Sequence, residues 1–114
     1  MIRLTIKFAD SELQVLNELL GTYEILTFVE GKFFALSEYG ENSYFDCFEC
    51  IEDDFFMQQK YELMTPKKVI KFYQYYIVET EEEPGIWYRG VLKANGNYEL
   101  DCCGDTLQEI IWSL

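Results

Sequence analysis

Hydrophobic and polar residues alternate from the first residues of the chain: Ile2, Leu4, Ile6 and Phe8 fall on one side, Arg3, Thr5 and Lys7 on the other. A period of two predicts a half-buried β-strand over Met1 to Phe8. The period then changes. Leu13, Leu16 and Leu20 form an apolar stripe, Asp10 and Ser11 suit the start of a helix, and Gly21 stands where a helix ends on a left-handed glycine. Two strand-like runs follow, YEILTFV and KFFALSEY, joined by Glu30-Gly31. They predict a hairpin with the glycine supplying the positive φ.

Residues 45–56 read FDCFECIEDDFF. Tyr44, Cys47, Phe48, Ile51 and Phe55 fall at i, i+3, i+4, i+7 and i+11, while Asp46, Glu49 and Asp53 fall on another face. This spacing predicts an amphipathic helix after Asn42-Ser43, aromatic inside and acidic outside, although a run so rich in Phe and Tyr also suits a strand. Thr65-Pro66 suits the start of a short helix before FYQYYIVE turns strand-like. Glu81-Glu82-Glu83-Pro84-Gly85 reads as a charged turn, and IWYRGVL and NYELDCC flank the hairpin signal Asn95-Gly96. Thr106 and Glu109 have capping-box spacing ahead of Leu107, Ile110, Ile111 and Leu114, a helical face that would dock on a sheet. The expectation is a single α+β domain spanning residues 1–114. Its sheet is mainly antiparallel, packed by an N-terminal, a central acidic and a C-terminal helix.

Composition changes that picture in one respect. With 114 residues, 49% of them apolar and 18% aromatic, the chain can bury a core without staples. Its 21 Asp and Glu against 9 Lys and Arg leave a net charge of -12. Such a field repels nucleic acid and anionic membranes and speeds encounter with a cationic protein surface. Solubility is the plainer use of acidic charge, but a surplus this large on so short a chain puts a partner on an equal footing. Met1 leads straight into a strand pattern rather than a charged and then apolar leader, and no apolar run approaches the length of a membrane span. Four cysteines without an export signal are expected as reduced thiols, and the protein as cytoplasmic.

Candidate chemistry is sparse. Cys47 and Cys50 have C-x-x-C spacing and Cys102-Cys103 could in principle complete a four-sulfur zinc site. Against it stand the absence of histidine and the adjacency of Cys102 and Cys103 in a strand, which sends one inward and one outward. A redox role is disfavoured because Asp46, Glu49 and Glu52 flank the thiols and oppose the thiolate. Without His there is no Ser-His or Cys-His pair, no carboxylate pair stands apart as acid and base, and no Gly-rich phosphate loop occurs. Neither a catalytic residue nor a metal site nor a cofactor is assigned, and an enzyme is not expected.

Surface chemistry remains. Seven carboxylates with no Lys or Arg lie within the seventeen residues 38–54, Asp46, Glu49, Glu52, Asp53 and Asp54 among them. Glu79, Glu81, Glu82 and Glu83 add four more beside Pro84. Aromatic residues stand close by, notably Tyr44, Trp87 and Tyr88. The pattern is that of an interface with rigid aromatic anchors inside an acidic rim.

In size, charge and architecture the chain resembles the bacterial immunity proteins and antitoxins, including those of contact-dependent growth inhibition and polymorphic toxin systems. A local likeness covers about residues 75–114, YYIVETEEEPGIWYRG and GNYELDCCGDTLQEIIWSL. There Gly104, Asp105, Thr106, Leu107 and Glu109 are similar to the helix start of HicB-type antitoxins. The motif falls at residues 104–109, and a DNA-binding module after it is not expected. The resemblance implies a protein that binds a cognate basic toxin, a nuclease by expectation, and covers its active site. Direct binding of nucleic acid or membrane is not expected. Two other readings stand beside it: a phage-type nucleic-acid mimic that inhibits a host defence nuclease, and a small cysteine-based metal-binding domain.

Overall fold

In the computed structural model the described residues are 2–38 and 60–114. Strand β1 (Ile2–Arg3) leads to helix α1 (Asp10–Leu19), then to β2 (Glu24–Leu26), β3 (Phe28–Val29) and β4 (Phe34–Glu38). After the undescribed segment come β5 (Lys60–Met64), β6 (Pro66–Phe72), β7 (Tyr75–Thr80), β8 (Trp87–Leu92), β9 (Tyr98–Gly104) and helix α2 (Leu107–Trp112). β1 and β3 form a short two-stranded ribbon, and the other seven strands form one sheet in the order β2-β6-β7-β8-β9-β4-β5. Every neighbour in that sheet is antiparallel except β4 and β9, which run parallel. An α+β domain on a largely antiparallel sheet is therefore what the chain forms. The three-helix expectation is not borne out: the described residues contain two helices, and the expected acidic helix falls outside them.

Both faces of the sheet are covered, which explains why β7 is buried along nearly its whole length. Tyr76 and Val78 point to one face, where they meet Leu4, Val29, Phe34, Met64, Val69, Tyr88, Tyr98 and Leu100. Ile77 points to the other, where Ile70, Trp87 and Cys102 pack under Leu16 of α1 and Leu107, Ile110 and Ile111 of α2. On the first face Phe34 stacks on Tyr98 with ring centres 4.4 Å apart, and Tyr76 meets Tyr98 edge-on at 5.0 Å. A bulge in β9 between the partners of Arg89 and Gly90 breaks the two-residue period there. Leu100 thus faces the aromatic core while Cys102 reaches the helix side and Cys103 is exposed.

Local signals account for several elements directly. Gly21 and Gly96 both take positive φ, at the end of α1 and in the β8–β9 hairpin. Thr106 caps α2, its Oγ1 accepting the Glu109 N–H at 3.1 Å, while Glu109 Oε2 accepts the Asp105 N–H at 3.0 Å. At the start of α1 the cap residue is Ala9, not Asp10 or Ser11. Ala9 has no side-chain oxygen to offer, though its carbonyl accepts the Leu13 N–H at 3.1 Å, and its own N–H donates to Glu12 Oε1 at 2.8 Å.

Three expectations are corrected. The alternation over Met1 to Phe8 forms a strand only at Ile2–Arg3; Leu4 still points inward, but Ile6 is 47% exposed because no strand pairs with that stretch. Glu30-Gly31 does not close a hairpin: β3 pairs with β1, and β4 inserts between β9 and β5. Gly31 has no positive φ, and a Cβ there would sit 2.1 Å from Tyr98 Cε2, so glycine is needed for close approach. Thr65-Pro66 starts strand β6 rather than a helix, with Pro66 first in the strand, where its missing N–H disturbs the ladder least.

Candidate functional site

The expected acidic turn between β7 and β8 forms, and the fold holds its carboxylates by different means. Glu79 is 6% exposed on the helix side of the sheet, where its Oε2 accepts the Gly85 N–H at 3.0 Å. Its Oε1 takes no hydrogen bond and faces Lys68 Nζ at 3.6 Å. Lys68 in turn donates to Glu12 Oε1 at 2.9 Å and lies over the Phe8 ring at 5.4 Å. One half-buried lysine thus bridges a carboxylate of β7 and a carboxylate of α1, tying the helix start to the sheet beside the turn.

Glu82 Oε1 accepts the Thr65 N–H at 2.7 Å. Burial works to raise its carboxyl, but the hydrogen bonds from Thr65 outweigh that and hold it below the ordinary value of 4.5. Glu83 accepts the Tyr88 hydroxyl, and its N–H donates to Thr80 Oγ1 at 3.3 Å. Burial, then that carboxylate partner, pushes the Tyr88 hydroxyl well above the usual tyrosine range. Glu81 is exposed, with its backbone N–H tied to the Thr65 carbonyl at 2.9 Å. The turn is pre-set: the Glu79, Glu82 and Glu83 carboxylates are each held by a hydrogen bond, while Glu81 is tied through its backbone.

Beside it lies a shallow hollow where α1, α2 and the turn meet. Val15, Trp87 and Leu107 give it an apolar floor, and Glu12, Asp105 and Gly85 stand on its walls. Asp10 and Glu109 flank these walls in sequence, both exposed. Carboxylates from α1, the β7–β8 turn and the α2 start therefore gather at one end of the molecule, here termed the acidic pole.

Trp87 and Tyr88 are not the exposed anchors that the sequence suggests. They are 3% and 4% exposed, because adjacent residues of a strand point to opposite faces and both faces of β8 are covered. Trp87 keeps a role at the floor of the hollow and Tyr88 as the clamp on Glu83. Glu79 likewise serves the interior rather than the surface. Tyr44, Asp46, Glu49, Glu52, Asp53 and Asp54 lie outside the described residues. Sequence reasoning did not single out Glu12, and it read Asp10 as a cap residue and Asp105 only as part of a helix start, which left their nearness in the fold unseen.

Among the described residues no group of three or more Cys, Asp or Glu is arranged to hold a metal ion, and no helix is long and apolar enough to cross a membrane. No family model, curated protein or solved structure matches the chain.

Proposed function

We propose that the protein is an acidic protein-binding inhibitor, an immunity protein that acts in the cytoplasm on a cognate basic toxin, a nuclease by the logic of charge, and covers its active site. The observation that carries this reading is the acidic pole: in a chain of charge -12, Glu12 of α1 and Asp105 before α2 line one hollow with the apolar Val15, Trp87 and Leu107, and Gly85 of the glutamate-rich β7–β8 turn borders it. A lysine or arginine of the partner fits that hollow chemically. Its aliphatic stem would lie along Val15, Trp87 and Leu107 while its charged head meets Glu12 and Asp105. Cations that hold phosphates in a nuclease cleft are of this kind. Because Glu82 and Glu83 are already held by Thr65 and Tyr88, little ordering is lost when a partner docks on them. The carboxylates of residues 46–54 add to the same net charge.

The test is capture from the native cell on immobilised protein at low salt, elution in rising salt, and mass spectrometry of what is released. One stoichiometric basic protein, whose toxic activity the pure chain suppresses, is the expected result. Several unrelated DNA-handling proteins would replace this reading with a nucleic-acid mimic, and an empty eluate would remove it.

A further inference from the structure

At the end of β8 far from the acidic pole, a second hollow lies beside the β8–β9 turn and encloses about 110 Å³. Lys93, Asn95 and Asn97 of the turn and Glu99 of β9 line it, with Phe33 and Ala35 from the start of β4. The backbone that carries these side chains is fixed. Gly96 has a φ of 88°, its N–H donates to the Lys93 carbonyl at 2.9 Å, and its carbonyl accepts the Lys32 N–H at 3.0 Å. The Lys93 N–H donates in turn to the Asn97 carbonyl at 2.8 Å.

The polar groups of this hollow are incompletely used. Asn97 Oδ1 is buried and has no hydrogen-bond partner, which costs folding free energy that a bound donor would recover. Asn95 Oδ1 accepts the Asn97 N–H at 2.9 Å, which orients its amide and leaves the nitrogen to donate elsewhere. Lys93 Nζ and Glu99 Oε2 stand 3.9 Å apart, beyond hydrogen-bond reach, with side-chain exposures of 51% and 26%. A pair so loose and so exposed contributes little to the fold, and both charges can turn to a ligand at small cost. The hollow therefore offers two acceptors, Asn97 Oδ1 and the Glu99 carboxylate, beside two donors, Lys93 Nζ and the Asn95 amide.

The complement of that set is a small molecule with an ammonium and a carboxylate on neighbouring carbons. We propose that the hollow binds a small α-amino acid, its ammonium donating to Asn97 Oδ1 and Glu99 and its carboxylate accepting from Lys93 and Asn95. Volume sets the size. A cavity of about 150 Å³ admits benzene, with about six non-hydrogen atoms, so 110 Å³ suits a molecule of about five, which is glycine. Charge sets the class. The field of a chain of charge -12 repels a lone carboxylate and draws a lone ammonium to carboxylates all over the surface. A zwitterion carries no net charge and is selected only where both signs stand a few ångströms apart, as Lys93 and Glu99 do. Water would satisfy Asn97 but would make no use of that pair.

The test is a titration of the full isotope-labelled chain with glycine under reducing conditions, followed by NMR at the side-chain amides of Asn95 and Asn97. The expected result is saturable shifts at both, with a Kd on the order of 1 mM. Acetate and methylammonium each carry one of the two charges, and leucine exceeds the hollow; each should bind at least about tenfold more weakly. Glu99→Gln and Lys93→Met should each weaken glycine binding at least about tenfold while the melting temperature stays near that of the parent, since the pair adds little to the fold. Shifts still unsaturated at about 100 mM glycine would overturn the inference and leave water as the partner of Asn97. An equal response to acetate, methylammonium or leucine would do the same, as would glycine binding that survives both substitutions.

Discussion

Lys68 offers the sharpest test of how the acidic pole is held together. It lies 2.9 Å from Glu12 and 3.6 Å from Glu79, with side-chain exposures of 12%, 18% and 8% for the three residues in that order. At an effective dielectric near 20 these separations give gross attractions of about 6 and about 5 kcal/mol, most of it offset by the desolvation of the three charges. Replacing Lys68 with Met keeps the stem and deletes the charge, leaving two carboxylates facing each other in a poorly hydrated site. One-sided removal from a buried pair costs about 3–5 kcal/mol, and the residual exposure of Glu12 places this case at the lower end, about 3 kcal/mol. For a chain of this length that corresponds to a fall in melting temperature of about 12 °C. Urea denaturation of the parent and Lys68→Met at neutral pH measures it. Adding Glu79→Gln to Lys68→Met should recover part of the loss, because the orphaned charge goes with it. A loss under about 1 kcal/mol, or a double variant that is worse than the single by the full cost of Glu79→Gln alone, refutes the buried bridge.

Three further outcomes are expected. Gly31→Ala should drive its Cβ into the Tyr98 ring, disturb the Phe34–Tyr98 stack and cost about 1–3 kcal/mol in the same denaturation assay; an unchanged midpoint would show that the ring can move aside without loss. Thr106→Ala removes the acceptor for the Glu109 N–H and should cost about 1 kcal/mol, whereas Thr106→Ser should cost far less. The Glu82 carboxyl is depressed in the folded chain, so its contribution is complete above the ordinary value of 4.5 and is lost as pH falls through the folded value. Glu82→Gln should therefore lower stability at neutral pH and flatten the acid side of the profile, the two proteins converging at low pH, and an identical acid slope in both proteins would remove Glu82 from the account.

What was legible in the sequence was local. The 13, 16, 20 stripe with Gly21, the Asn95-Gly96 turn and the Thr106–Glu109 cap each depend on residues within a few positions of one another, and each formed. The misread elements depend on distant partners. Nothing near Gly31 announces that β4 will lie parallel to β9, sixty-odd positions on, or that Tyr98 will press against the glycine. Pro66 has a fixed φ that serves the first turn of a helix and the first residue of a strand alike; the β-branched Val69 and Ile70 and pairing with β7 decided for the strand. Trp87 and Tyr88 looked like surface anchors because they adjoin a charged turn, and only the covering of both faces of β8 sends them inward. The acidic turn itself was visible as a run of glutamates. That Gly85 of this turn would share a hollow with Glu12 and Asp105 was not, since three stretches of chain far apart in sequence supply them.

Whether a cationic partner grips the acidic pole is tested most directly by the association rate of the captured toxin, measured by stopped flow at low and high salt. The comparison is between the parent chain, an Asp10→Lys, Glu81→Lys, Asp105→Lys variant, and a second variant carrying Glu49→Lys, Glu52→Lys and Asp53→Lys. For the parent the rate should fall about tenfold or more between low and high salt, and the charge reversals should slow association at low salt by a similar factor while leaving the melting temperature nearly unchanged. An association rate indifferent to both salt and these reversals would contradict the proposal and leave the acidic surface as a means of solubility alone.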